Sequence, residues 1–231
     1  MQSLPEGYRA LVVGASGAIG AAFAEQLGRD PRCATVRGLH RGSLPPIDYA
    51  DAPGIARAAQ ALAADGPWHL VVVATGVLHT AAFSPERRLA DVSGEALEAI
   101  FRINTFGPAE VTRCFVPLLA RERSLFAVLS AKVGSTQDNR LGGWYGYRAS
   151  KAALNMLIKT ASIETKRTNP SAVLIALHPG TVKSALSRPF RGDAIGQEPA
   201  AAVAQMLQAL DALEPSDSGA FVAYDGERLP W

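Results

Sequence analysis

Leu11-Val12-Val13-Gly14-Ala15-Ser16-Gly17-Ala18-Ile19-Gly20 is the stretch on which the fold turns. Its first three residues are apolar and two are β-branched, as in a strand buried on both faces. Beyond the glycines, residues 21–27 read as a helix, with Ile19, Phe23 and Leu27 spaced to pack one face on a sheet. In a strand, glycine turn and helix, small residues let the backbone approach a pyrophosphate. The helix N-terminus adds unpaired N–H groups and a favourable dipole. An ordinary strand-to-helix turn uses the same residue types, so the rest of the chain must decide.

Further strand-like runs occur at 34–39, 70–73, 125–129, 173–177 and 220–223, with helical segments between most of them. Residues 53–64 read as a short alanine-rich helix. Residues 95–120 read as a long helix, bent or interrupted near Asn104-Thr105-Phe106-Gly107-Pro108, and another runs from Tyr147 towards Lys166. In that last helix Leu154, Leu157, Ile158 and Ala161 form an apolar stripe. Near the end of the chain Val203, Met206, Leu207 and Leu210 do the same. The alternation predicts one α/β domain over residues 1–231, a Rossmann-type, doubly wound parallel sheet with helices on both faces.

Two other features point to chemistry. In Trp144-Tyr145-Gly146-Tyr147-Arg148-Ala149-Ser150-Lys151, Tyr147 and Lys151 are four apart, so on a helix they share a face one turn apart. A nearby cation favours the phenolate and lowers a tyrosine's pKa, which suits proton exchange with a carbonyl oxygen. At Gly38-Leu39-His40-Arg41-Gly42-Ser43, the tip of the second strand carries no acid. An acid there would bind a ribose 2′-hydroxyl. Arg41 is instead placed to meet a 2′-phosphate, and Ser43 to assist, so NADPH is expected over NADH.

Together these motifs resemble the short-chain dehydrogenase/reductase family, in their order and over nearly the whole chain, most like its C-factor/sniffer-like carbonyl reductase branch. The resemblance implies that Gly14, Ser16, Gly17, Ala18, Ile19 and Gly20 bind the cofactor, that Asp48 meets the adenine, and that Ala74-Thr75-Gly76 is a variant of the family's Asn-Ala-Gly turn. It implies Asn104 as the helix asparagine that positions a water, and Tyr147 and Lys151 as the catalytic pair, Lys151 also holding the nicotinamide ribose. Pro179, Gly180, Val182 and Ser184 belong to the Pro-Gly turn that cradles the nicotinamide. It also implies a homodimer, or a tetramer, built on the long helices from Glu95 and Tyr147.

Two departures leave alternatives open. The glycines fall as G-x-x-G-x-x-G, with Ala18 where the family usually has its middle glycine. That spacing is commoner among nucleotide-sugar epimerases and dehydratases, which are usually longer. Where the family places its catalytic serine this chain has Ala131, in Ser130-Ala131-Lys132-Val133-Gly134-Ser135, so Ser130 or Ser135 would have to supply the hydroxyl. Without it, a low-turnover NADP-binding signalling or regulatory protein is the third reading. The leading one is an NADPH-dependent enzyme that reduces an aldehyde or ketone to an alcohol by hydride transfer, with Tyr147 as the acid.

Residues 183–199 lack a clear period and lie where a substrate lid would sit. Leu186 and Phe190 would close over an apolar substrate; Lys183, Arg188 and Arg191 would attract an anionic one. His79 and His178 read as structural. The 23 Lys and Arg against 21 Asp and Glu, a formal net charge of +2, give no basic surface for nucleic acid. The two cysteines, Cys33 and Cys114, match no metal pattern and read as buried thiols. No secretory signal pattern or bilayer-length apolar run is found, so a cytoplasmic protein with a small-molecule partner and no membrane is expected.

Overall fold

Residues 1–231 are all described by the structure, a computed structural model. Its frame is one parallel sheet of six strands: β1 (Tyr8–Val13), β2 (Cys33–Leu39), β3 (Leu70–Val73), β4 (Ser124–Leu129), β5 (Ala172–His178) and β6 (Phe221–Ala223), in the order β2-β1-β3-β4-β5-β6. The central strands β3, β4 and β5 are buried almost throughout, which is why their sequences are continuous apolar runs. β2 is an edge strand, exposed at Ala34, Arg37 and Gly38.

Successive strand residues face opposite sides of the sheet. Val12, Leu70 and Val72 pack under α1 (Ala18–Arg29) and α7 (Pro199–Asp211), meeting Phe23, Leu27, Val203 and Met206. Leu11, Val13, Val71 and Val73 face α2 (Ala52–Leu62), α4 (Gly107–Phe115) and α5 (Tyr145–Thr168), meeting Ile55, Val111, Phe115, Leu154 and Ile158. Truncating a side chain as buried as Phe115 costs roughly 3–5 kcal/mol. The expected stripe on α5 holds except at Leu157, which is 41% exposed. Cys33 and Cys114 are unpaired, and both are half-buried rather than fully enclosed.

From β1 the chain steps to β2 on one side, then crosses to β3 on the other. The carboxyl ends of β1 and β3 therefore flank the crevice where the winding reverses. The expected break in the long helix is present. It consists of α3 (Gly94–Phe101), a π-helical turn over Arg102–Phe106, and α4. Pro108 has no N–H to give the carbonyl four residues back, that of Asn104, and π turns commonly mark functional positions. The segment 183–199 is closed at its neck, where Lys183 N donates to Gln197 O (2.9 Å) and Gln197 N donates to Thr181 O (2.9 Å). Within it lie a 3-10 turn (Arg188–Phe190) and the short helix α6 (Gly192–Ile195). No helix is long and apolar enough to cross a membrane.

Candidate active site

The β1–α1 turn is fixed by close backbone approach. Gly14 has φ +88° and its N donates to Leu39 O (2.7 Å), tying the turn to β2. A side chain at Gly20 would overlap the Gly14 carbonyl, so α1 can begin here only with glycine at that position. Ser16, Gly17 and Ala18 are exposed, Ile19 half-buried. The N-terminus of α1 has no side-chain cap and no acid in its first turn. Its N–H groups thus face outward, a cradle suited to a dinucleotide pyrophosphate. Gly38, which the sequence reading passed over, belongs to the same construction: a Cβ there would lie 2.9 Å from the Ala15 methyl.

Two residues beyond β2, Arg41 is exposed and makes no hydrogen bond or ion pair. Ser43 is already engaged, since its Oγ accepts from His40 N (2.9 Å) and lies within reach of the His40 and Pro45 carbonyls. Asp48 is exposed in the following loop, its Oδ1 accepting from Ala50 N (3.0 Å). Ala74 N donates to Val13 O (2.7 Å), which sets the β3 turn beside the glycine cradle. Thr75 Oγ1 is 2.8 Å from the Tyr49 phenol, a partnership between residues 26 apart with no local motif to mark it.

Gly76, Asn104 and Lys151 converge. A Cβ on Gly76 would lie 3.5 Å from Lys151 Nζ and 3.7 Å from Asn104 Oδ1. The Asn104 amide is fully buried. Its Oδ1 accepts from Val77 N, its Nδ2 donates to Val77 O (both 2.8 Å), and Nδ2 also reaches Ser150 Oγ (3.1 Å). Thr105 adds a bond to Ser150 O (2.8 Å), so the π turn is bolted to α5. Lys151 Nζ donates to Leu129 O (2.9 Å), leaving two of its three donors free.

Tyr147 is 8% exposed and packs with Leu78, Ile100 and Ala131; Val133, Trp144, Leu186 and Phe190 border the same apolar cluster. Trp144 meets the Tyr147 ring edge-on (6.2 Å between centroids) and Phe190 likewise (5.2 Å), and Phe190 also touches His79 (5.7 Å). Burial pushes the Tyr147 phenol up to about 12 and Lys151 down to about 7. This reverses the expectation for the tyrosine, because desolvation opposes both charged forms.

The two serines do not reach Tyr147. Ser130 Oγ donates to Asn155 Oδ1 (2.6 Å), behind the strand end. Ser135 Oγ donates to Trp231 O (3.0 Å) and accepts from Asp138 N (3.0 Å). Both hydroxyls expected to orient the carbonyl are thus engaged with other partners; the residue that packs in the phenol's cluster is Ala131. His178 is held well below its ordinary pKa, at about 4, by burial and by Lys132, and its Nδ1 accepts from Lys132 N (3.2 Å). Pro179 and Gly180 follow, with Gly180 at φ +72° against the Tyr224 ring. Val182 is buried, and Ser184 pairs with Ser187 inside the 183–199 segment. Lys183 is bound to Glu198 (2.6 Å) and Arg188 to Asp193 (3.3 Å), which pairs two of the three cations of that segment singled out in the sequence.

A parallel sheet with a glycine cradle at its reversal and a Tyr-x-x-x-Lys pair at its carboxyl edge defines a nucleotide-dependent oxidoreductase fold. The short chain dehydrogenase family model matches residues 46–194, and the chain belongs to that family of oxidoreductases. The match begins after the glycine turn, whose spacing is the unusual part. Among relatives, C-signal of Myxococcus xanthus is 37% identical over 145 residues, covering 62% of this chain and 83% of that protein. The 1-hydroxy-2-glutathionyl-2-methyl-3-butene dehydrogenase of Rhodococcus sp. (strain AD45) is 33% identical over 155 residues, 67% of each chain. In fold the chain is similar to a carbonyl reductase from chicken fatty liver with NADPH bound (TM-score 0.83, 23% identity, 99% of this chain and 100% of that one). It is also similar to the carbonyl reductase Sniffer of D. melanogaster (TM-score 0.81, 21% identity, 97% and 99%).

Proposed function

We propose that the protein uses NADPH to reduce an uncharged, apolar aldehyde or ketone. The observation that carries this reading is the meeting of Gly76, Asn104 and Lys151, with Lys151 one turn along α5 from the buried Tyr147. The residues present suit a dinucleotide: bare N–H groups at α1 for the pyrophosphate, unpaired Arg41 for a 2′-phosphate, Asp48 for the adenine edge, and the Pro179–Ser184 turn for the nicotinamide. When bound, the cofactor supplies a hydride to the carbonyl carbon. Tyr147, neutral at physiological pH, donates its phenolic proton to the oxygen as negative charge develops there. Lys151, with its pKa near neutrality and two free donors, stabilises the phenolate left behind and has a donor to spare for the nicotinamide ribose. Asn104 keeps the β3 turn and α5 in register and positions a water beside Lys151.

The walls favour an apolar substrate over an anionic one. Leu78, Ala131, Val133, Trp144, Leu186 and Phe190 surround the phenol, and Lys183 and Arg188 are paired within the lid. Two unpaired thiols suit a reducing compartment, which supports a cytoplasmic location. Met156, Leu157 and Ile163 are exposed on α5, and Phe106 at the π turn. These support a homodimer through the long helices, which light scattering would test.

A second reading is favoured by one observation, Ala131 beside the phenol with both nearby serines engaged elsewhere. A site with one donor for the carbonyl oxygen suits a protein whose role is signalling and whose turnover is low; C-signal is the relative that carries such a name. The epimerase reading rests on the glycine spacing alone. Following NADPH absorbance with aldehydes, ketones and diketones separates the three. Net oxidation supports the reductase, cofactor held without net oxidation supports the epimerase, and tight NADPH binding without turnover supports the signalling protein.

A further inference from the structure

Helix α5 carries Tyr147 and Lys151, yet it contains nothing that caps its own start. Its N-cap residue is Trp144, which makes no side-chain cap bond, and its first turn holds no acid. The first four N–H groups of any helix lack intrahelical partners. Here the partner comes from 60 residues away. Glu86, in the β3–α3 loop, is 7% exposed and forms no ion pair, and both of its carboxylate oxygens accept from Gly146 N (3.2 and 3.1 Å). Its backbone carbonyl accepts from Trp144 N (2.6 Å). One residue thus holds the helix start twice, on either side of Tyr145.

The fit is close. A Cβ on Gly146 would lie 2.9 Å from Glu86 Oε1 and 3.2 Å from Ile100 and Leu97 side chains. Trp144 sits at φ +52°, in the left-handed region, after Gly142 and Gly143 at φ +64° and +63°. That conformation is unfavourable for a residue with a Cβ and persists only where its surroundings impose it. Glu86 O supplies that constraint from one side. Arg148 supplies it from the other, its guanidinium donating to Gly142 O, Gly143 O and Val133 O. In this conformation the Trp144 ring meets Tyr147 and Phe190.

We propose that Glu86 is a positioning residue for Tyr147, fixing the phenol's place in the cleft by capping α5 through Gly146 and Trp144. The inference rests on the reductase reading for its catalytic consequence but not for the cap itself. An acid at a helix start is also favoured by the helix dipole, which explains a buried carboxylate with no cation beside it.

The test has two arms on the full chain. In the first, hydrogen–deuterium exchange is followed at residues 145–148. Glu86→Ala is expected to raise exchange there at least tenfold, and Glu86→Gln, which keeps an oxygen acceptor for Gly146 N, to restore protection. In the second, kcat for the best carbonyl substrate is expected to fall roughly 10- to 100-fold in Glu86→Ala, the cost of misplacing a reacting group by about an ångström. KM for NADPH stays at the parent value and Glu86→Gln recovers most of kcat. If Glu86→Ala does not fold, Gly146→Ala, which pushes a methyl against the carboxylate without removing it, should show the same two losses. Parent-like exchange in Glu86→Ala and Gly146→Ala, or a Gln variant as impaired as the Ala variant, overturns the proposal. A parent protein that reduces no carbonyl overturns the reductase reading instead, and the exchange arm still decides the cap.

Discussion

The two ends of the cleft treat their polar groups in opposite ways. At the β1–β2 end they are left free: the N–H groups of α1 face outward uncapped, and Arg41 has no partner. At the β4–β5 end nearly every polar side chain is already engaged. Ser130 is bound to Asn155, Ser135 to Trp231 O, Arg148 to three backbone carbonyls, Lys183 to Glu198 and Arg188 to Asp193. What remains around the phenol is apolar. A free, cationic end is suited to a highly charged ligand of fixed shape. An engaged, apolar end leaves few polar groups free to meet whatever enters, and on the proposed mechanism Tyr147 is the proton donor among them. The contrast also explains why one end was easier to read than the other.

On cofactor binding, the largest change should come from removing the free charge. Arg41→Ala is expected to weaken NADPH binding about 10- to 100-fold while leaving NADH binding near the parent value, since a charge-assisted hydrogen bond is worth roughly 1.5–3 kcal/mol. Calorimetric titration with both cofactors checks it, and equal losses for the two would erase the contrast at that end. A smaller effect is expected from adding a polar group at the other end. Ala131→Ser places a hydroxyl beside Tyr147 and should raise kcat for carbonyl reduction about tenfold, less than the 10²–10³ seen where an established oxyanion donor is removed. Steady-state rates measure this, and a fall in kcat would mean the apolar wall itself matters more than a second donor.

The glycine cradle was legible because its determinants are local. Gly14 and Gly20 lie in one turn, and the strand and helix around them carry their own periodicity. The central strands β3, β4 and β5 were readable for the same reason: a strand buried on both faces has to be an apolar run. At the substrate end the determinants are distant in sequence. Whether Ser130 points at the phenol depends on Asn155, 25 residues on, and the cap of α5 depends on Glu86. The Tyr147–Lys151 spacing correctly put both side chains on one helix, but spacing carries no information on burial. Burial set the direction of the tyrosine's shift.

The smallest effect concerns the group between the two ends. Lys151 has a folded pKa of about 7, below its value in an unfolded chain, so between that pH and about 10.4 the unfolded state binds more protons. Stability from this group therefore rises with pH across that window, and below it the cost of a buried charge is fully present. Lys151→Met should raise the melting temperature by a few degrees at pH 6 and by less at pH 9.5, as replacing a buried charge with an apolar side chain commonly stabilises by about 1–4 kcal/mol. Thermal denaturation at the two pH values checks the sign; an equal shift at both would mean that Lys151 is not the group responsible.

On the proposed mechanism the Tyr147 phenol delivers the proton that accompanies hydride transfer. The direct measurement is the rate of NADPH oxidation with an apolar aldehyde, compared between the parent and Tyr147→Phe, with NADPH affinity titrated for both. The variant's rate is expected to be lower by about 10²–10⁴-fold at nearly unchanged cofactor affinity. A variant that reduces the aldehyde as fast as the parent would contradict it.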